Sequence, residues 1–279
     1  MDMDPQSLAV QGTTRVFPVV GYPVQQVKAP HLYNDWFMRT GHDCIVVPFE
    51  IAPEDFATVL PALLRARNVG GVMVTIPHKV PTVGLLQDCS DAVRIAGACN
   101  AVVRRADGSL YGELFDGVGL VRAAEKHGFT AAGSRCLVVG AGGAGAAIAA
   151  ALAAAGASAV RLFDTRAAHA QELAAQLQVH FPGTHIHAGP AELAGFELLV
   201  NATPLGMDPG DPLPVDVSQL KPQMLVAEIV MKHDITPLLQ AARAIGCRTV
   251  QGREMLQEQM PLYLAFFGLG PAQAQARRP

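Results

Sequence analysis

Gly140, Gly142 and Gly145 have the spacing G-x-G-x-x-G within Arg-Cys-Leu-Val-Val-Gly-Ala-Gly-Gly-Ala-Gly, residues 135–145. An apolar β-type run, 136–139, precedes them, and an alanine-rich stretch, 146–155, follows with no breaker until Gly156. Strand, tight turn, helix is the context in which this spacing binds a dinucleotide. Gly140 lets the strand turn sharply, Gly142 leaves room where a pyrophosphate approaches the backbone, and Gly145 lets helix and strand pack closely. The free N–H groups and the positive dipole end of the helix then face the phosphates, with Gly143 and Ala144 among the cofactor-binding residues. A tight strand-to-helix turn without a ligand can carry the same letters, so the flanking elements carry the inference.

Asp164 lies about 20 residues beyond Gly142, where a carboxylate bonds the adenosine ribose hydroxyls. A carboxylate there also repels a 2′-phosphate, which predicts NAD, with NADP possible. Arg166 could stack on the adenine or reach a phosphate. Arg161 reads as a strand-surface charge. Asp164 could also cap a helix starting near Thr165, which is compatible with the ligand role. Hydride transfer further needs a group that moves a proton on the substrate oxygen. Lys79, just past a strand end, and Asp116, in Asp-Gly-Val-Gly, could serve as acid and base if held together in a cleft. On spacing alone both are equally ordinary surface residues.

The elements that must position these residues fall into two α/β sets. Strands are expected at 15–20, 44–49 and 72–76, with helices at 31–40 and from Pro53 to Gly70-Gly71. A hairpin is expected from 101–104 and 110–112 around Asp107-Gly108, read as a two-residue turn. This alternation argues for a small α/β domain with a largely parallel sheet. The second set has helices at 118–127, 146–155, 167–177 and 237–245. Its strands fall at 136–139, 159–163, near Ile186, 196–200, 224–230 and 249–250. That series around a glycine fingerprint reads as a Rossmann-type nucleotide domain. A last helix from Gly252 is expected to return to the first domain. The division is therefore 1–117 with 252–279 as substrate-binding catalytic domain, and 118–251 as NAD(P)-binding domain.

Half of the 279 residues are hydrophobic and 16% are charged, with a formal net charge of −3, so a large core can form. No basic block suggests nucleic acid. No apolar run reaches the ~20 residues of a membrane span. Residues 1–5 lack the plan of a signal peptide. The five cysteines are scattered without CxxC spacing, as expected for reduced thiols in a cytoplasmic protein. His185-x-His187 has no third ligand nearby in sequence, so no metal is expected. Cys99 has no neighbouring histidine to activate it. His78 reads as packing or a loop hydrogen bond, and Glu254 and Glu258 as a solvated helix face.

Five motifs occur in the order seen in shikimate dehydrogenases, between about Gly21 and Gln259: Val-Thr-Ile-Pro-His-Lys ending at Lys79, Gly97-Ala-Cys-Asn-Ala101, Asp116-Gly-Val-Gly119, Gly-Ala-Gly-Gly-Ala from Gly140, and Asn201-Ala-Thr-Pro-Leu-Gly-Met207. The chain resembles that family. The resemblance implies an α/β substrate domain, a Rossmann domain and a C-terminal helix returning to the first. It implies reversible NAD(P)-dependent oxidation of a shikimate- or quinate-like cyclic hydroxy acid to the ketone, the chemistry of aromatic amino acid biosynthesis. Lys79 and Asp116 match the catalytic pair. Thr75, Asn100 and Gln259 match substrate-binding side chains. Asn201, Ala202 and Thr203 match the cofactor cleft, and Met255 a residue beside the nicotinamide. The expected partner is a small-molecule substrate, with no nucleic acid or membrane, for a monomer or homodimer.

Departures from the family pattern are specific. Its substrate carboxylate is usually held by Ser-x-Ser-Pro, but here the loop is Val27-Lys28-Ala29-Pro30. Leu114-Phe115 replaces a polar pair before Asp116, and Met231 replaces a tyrosine. Losing polar contacts to a charged group at ~1–3 kcal/mol each weakens shikimate binding by orders of magnitude unless Tyr22, Gln25, Gln26 or Lys28 replaces them. The alternatives are therefore the same hydride chemistry on a less polar substrate, or a catalytically silent nucleotide-binding homologue. Keeping both Lys79 and Asp116 argues against the silent one. Members preferring NADP carry Asn-Arg-Thr where this chain has Asp164-Thr165-Arg166, which again favours NAD.

Overall fold

The structure is a computed structural model that describes residues 10–270. The chain divides into two compact units. Within the described residues, the first holds 10–90, 99–113 and 260–270, and the second holds 91–98 and 114–259.

The first unit contains β1 (Arg15–Gly21), α1 (Ala29–Thr40), β2 (Cys44–Glu50), α2 (Pro53–Leu63), β3 (Val72–Val74), α3 (Lys79–Val83), β4 (Asp88–Cys89), β5 (Ala101–Arg104) and β6 (Leu110–Glu113). The sheet order is β2-β1-β3-β5-β6-β4. β1 runs parallel to β2 and β3, and β4 parallel to β6, whereas β5 is antiparallel to both β3 and β6. α1 starts at Ala29, two residues before its expected start. Pro30 in its first turn has no amide to leave unsatisfied. Tyr33 and Phe37, a helical turn apart, face inward, and the Phe17 ring of β1 lies 6.2 Å from that of Phe37. β3 is shorter than expected, ending at Val74. The chain then turns so that the Thr75 amide donates to Val20 and the Ile76 carbonyl accepts from Tyr22.

The hairpin between β5 and β6 forms, but not with a two-residue turn. Gly108 N–H donates to the Arg105 carbonyl and Arg105 N–H to the Ser109 carbonyl, which leaves residues 106–108 in the loop. Gly108 takes φ +89°, and the Asp107 carboxylate accepts from Ser109 N–H at 2.9 Å. A left-handed glycine after the turn matches the twist of the strands.

The second unit contains α4 (Asp91–Ala96), α5 (Asp116–Lys126), β7 (Arg135–Val139), α6 (Gly143–Ala154), β8 (Ala159–Phe163), α7 (Ala167–His180), β9 (His185–Ala188), β10 (Leu198–Asn201), β11 (Leu225–Glu228), α8 (Pro237–Ile245) and β12 (Arg248–Val250). Its strands lie in the order β12-β11-β10-β7-β8-β9, each pair parallel. Such strands are covered on both faces and read as unbroken apolar runs. Leu137, Val138, Leu162, Leu198, Leu199, Val200, Leu225 and Val226 are all fully buried. The strand order reverses between β7 and β10, which places a ligand crevice at the C-terminal ends of these strands. α9 (Gly252–Phe266) begins in the second unit and ends in the first. Among the described residues no helix is long and apolar enough to cross a membrane.

Candidate active site

The turn from β7 into α6 has the shape the glycines predict. Gly140 takes φ +103°. A Cβ at Gly145 would stand 1.9 Å from the Gly140 carbonyl oxygen, so only a hydrogen fits there. A Cβ at Gly142 would meet nothing within 4 Å: the backbone in front of the helix is open. α6 has no side-chain cap on its first amides. Open backbone, uncapped amides and a helix dipole at one point fit a pyrophosphate. The residues present therefore fit a bound dinucleotide.

Asp164 follows β8 and faces this turn. Its Oδ2 accepts from Ala141 N–H at 2.9 Å, and its Oδ1 from Arg166 N–H at 2.9 Å. Burial works against the charge, but these two amides and the Arg166 guanidinium outweigh it and hold the carboxyl below its usual range. α7 begins only at Ala167, so Asp164 is not the cap of a helix starting near Thr165. Arg166 is exposed, with its Nη2 3.1 Å from His169 Nδ1. Arg161 does stand on the sheet surface, over the Phe196 ring, and its Nε donates to His187 Nε2 at 3.1 Å.

Asn201, Ala202 and Thr203 leave β10 beside the same turn. Ala202 N–H donates to the Val139 carbonyl, and the Ala202 oxygen would sit 2.8 Å from a Cβ on Gly140. Asn201 Oδ1 accepts from the amide and the hydroxyl of Thr203, at 3.1 and 2.6 Å. On the other side Asn201 Nδ2 meets Glu228, which is fully buried at the end of β11. Sequence reasoning passed over Glu228. Its signal was a carboxylate closing the apolar run Leu225-Val226-Ala227.

Also in the second unit, Asp116 is the first residue of α5 and is buried. Gln259 Nε2 on α9 donates to Asp116 Oδ1 at 3.3 Å, so two of the expected site residues meet. Met255, one turn earlier on α9, is buried as well. Glu254 and Glu258 are not a plain solvated face. Glu254 lies 2.7 Å from His127 Nε2, and Glu258 pairs with Lys126.

In the first unit Lys79 opens α3, and its carbonyl accepts from Cys99 N–H at 2.8 Å. That bond sets Asn100 beside the Lys79 backbone. Asn100 is buried, and its own backbone is held on three sides: by the Glu113 carbonyl, the Val74 amide and, at 3.0 Å, the hydroxyl of Tyr263. Tyr263 is a second residue that sequence reasoning missed; its anchoring role depends on a partner 163 residues away. Thr75 is half-buried on the turn after β3. His78 stacks on Phe56 with ring centroids 4.1 Å apart and bonds the Ile51 carbonyl through Nε2, which fixes the turn that carries Lys79. Val27 is half-buried and Ala29 is buried at the start of α1. Of the four residues that could replace lost polar contacts there, Tyr22, Gln25 and Lys28 are exposed, and Gln26 donates to the Pro23 carbonyl. The Cys99 thiol is buried, donates to the Ala101 carbonyl and is pushed up to about 12 by that burial, so it is no nucleophile.

The shikimate dehydrogenase substrate binding domain matches residues 19–102. A curated shikimate dehydrogenase (NADP(+)) of Geobacter metallireducens is 38% identical over 96% of both chains. The chain belongs to the shikimate dehydrogenase family. Among solved members of this fold, shikimate 5-dehydrogenase from Listeria monocytogenes, in complex with shikimate and NAD, superposes with a TM-score of 0.83 at 26% identity, over 96% of this chain and 97% of that one. A 5-ketofructose reductase of Gluconobacter sp. strain CHM43 superposes with a TM-score of 0.80 at 27% identity, over 91% and 92%. These similar proteins are named for NADP(+) in one case and NAD in another, and for shikimate or 5-ketofructose.

Proposed function

We propose that this chain is an NAD(P)-dependent dehydrogenase of the shikimate and quinate type, interconverting a secondary alcohol of a cyclic hydroxy acid and its ketone. The observation that carries the reading is the open turn at Gly140–Gly145 in a chain related end to end to such a dehydrogenase. The dinucleotide supplies or accepts the hydride. Lys79 moves the proton on the reacting oxygen, and Asp116 is the second catalytic group. Asn100, Thr75 and Gln259 position the ring. Asn100 suits that task because its backbone is held on three sides, and Gln259 because Asp116 already holds its amide.

Gly142, Gly143 and Ala144 hold the pyrophosphate, while Asn201, Ala202, Thr203 and Met255 flank the nicotinamide half. Asp164 supports NAD over NADP, because its carboxylate stands at the turn a 2′-phosphate would have to approach. Five free cysteines fit a reducing, cytoplasmic setting. The protein then works on a small molecule as a monomer or homodimer.

Val27 and Ala29 favour a second reading, in which the substrate lacks the carboxylate that two hydroxyls would bind. A neighbour named for 5-ketofructose, an uncharged ketose, supports it. One assay tests both readings: purified protein with NAD, NADP and their reduced forms against shikimate, quinate, related cyclic hydroxy acids and 5-ketofructose. NAD-linked turnover of a cyclic hydroxy acid is expected. Turnover of the neutral ketose alone moves the assignment to the second reading, and no turnover of any of them overturns both.

A further inference from the structure

We propose that Glu228 is a positioning residue of the dinucleotide site, acting through Asn201 to hold the 202–206 turn against Gly140. The proposal rests on reading the second unit as the one that binds the dinucleotide. Glu228 ends β11 directly beside Asn201, which ends β10. It is 0% exposed. Both of its carboxylate oxygens lie 3.1 Å from Asn201 Nδ2. Val230 N–H donates to Oε1 at 3.0 Å, and the Thr236 hydroxyl to Oε2 at 3.1 Å.

An ionised carboxylate only accepts, so it fixes which end of the Asn201 amide faces it. The NH₂ turns to Glu228 and to the Leu205 carbonyl at 3.0 Å, and the oxygen turns to Thr203. Thr203 Oγ1 in turn accepts from Leu205 N–H at 3.1 Å. The outcome reaches the phosphate turn: the Ala202 oxygen and Thr203 Cγ2 would lie 2.8 and 2.9 Å from a Cβ at Gly140. A neutral amide at 228 would offer a donor as readily as an acceptor and leave the orientation of Asn201 undecided.

Burying a carboxylate costs free energy, and here burial pushes its pKa up to about 7. The groups facing it are Asn201 from β10, Thr236 capping the start of α8, the Ile229 and Val230 amides from its own exit turn, and Gly206 from the 202–206 turn. Titratable groups on the adjoining loops are engaged elsewhere. Lys232 pairs with Asp208, Asp211 accepts from Gly206 N–H, and His233 lies 3.2 Å from the Met207 carbonyl. The charged form of Glu228 accepts all of its donors without conflict. The protonated form must present an O–H, and of its partners only the Thr236 hydroxyl accepts one without moving Asn201. Even with the proton on the Thr236 side, the Asn201 NH₂ then faces a neutral group in place of a carboxylate, and its charge-assisted contacts weaken, which loosens the hold on the 202–206 turn.

The test titrates NADH into wild-type protein, Glu228→Gln and Glu228→Asp from about pH 6 to about pH 8.5, with a thermal melt of each. NADH is the probe because it lacks the 2′-phosphate, which itself titrates near about 6. The difference between wild type and Glu228→Gln is what counts. Wild type is expected to lose about tenfold in affinity on going from the alkaline to the acid end. Glu228→Gln should bind weakly and without that slope, with the loss falling on the KM for dinucleotide more than on kcat. Glu228→Asp, which keeps the charge one methylene short, should bind more weakly with the slope retained.

A folded Glu228→Gln with wild-type affinity and slope overturns the proposal. If that variant does not fold, a wild-type or Glu228→Asp profile that is flat overturns it equally. Wild-type protein that binds neither NADH nor NADPH at any pH overturns the dinucleotide reading and this proposal with it.

Discussion

The Asp164 carboxylate reaches across from the end of β8 to take the Ala141 amide, at 2.9 Å, in the middle of the glycine turn. One side chain thereby ties the end of β8 to the turn between β7 and α6. On the proposed reading, replacing Asp164 by Ala removes the negative charge that disfavours a 2′-phosphate and leaves Arg166 and His169 in place. The ratio of kcat/KM with NAD to that with NADP should fall by about tenfold or more, since one charge-assisted hydrogen bond is worth about that factor. Steady-state kinetics with both dinucleotides check it, and an unchanged ratio refutes the role of Asp164.

Lys79→Ala should lower turnover by about 100-fold to 10,000-fold, the usual range for loss of a positioned acid-base group. NADH binding should stay close to wild type, because the glycine turn and Asp164 belong to the second unit and Lys79 to the first. The paired measurement is kcat and a fluorescence titration of NADH on the same preparation. Full activity would remove Lys79 from the mechanism.

Val27→Ser together with Ala29→Ser restores two hydroxyls at the start of α1. If this loop receives a substrate carboxylate, kcat/KM for shikimate should rise by about 10-fold to 100-fold, the worth of one or two hydrogen bonds to a charged group. Ala29 is the first residue of α1 and is buried, so a melting temperature taken on the same preparation separates a loss of fold from a loss of substrate. No gain for shikimate, with any activity on a neutral ketose undiminished, places the carboxylate elsewhere or removes it from the substrate.

Glu228 also predicts how stability changes with pH. Its folded pKa, about 7, is raised above the ordinary 4.5. Below 4.5 both states hold the proton; between the two values only the folded state does. Stability should therefore decline as pH rises from about 4.5 to about 7 and level off above, with a contribution on the order of 3 kcal/mol at most. Glu228→Gln should remove this component. Melting temperatures of both proteins at about pH 5 and about pH 8 measure it, and parallel shifts would falsify the linkage.

The nucleotide turn and the parallel strands were legible in the amino-acid order, since glycine geometry and apolar runs are set by residues within a few positions of each other. The hairpin was legible as a hairpin but not as a turn type. Asp107-Gly108 suits a two-residue turn, whereas the chain places Gly108 after the turn and bonds Asp107 to Ser109. α1 and β3 were read with ends shifted by two residues, because Pro30 and the bonds of Thr75 and Ile76 set those ends.

What the amino-acid sequence determined by itself was therefore the dinucleotide turn, the carboxylate at 164 and the family, each a local or ordered pattern. Only the tertiary structure decided that Glu228 lies beneath Asn201 and that Tyr263 anchors Asn100. Those contacts join residues 27 and 163 positions apart. The charge state of Glu228 follows from desolvation, which exists only once the strands around it have closed.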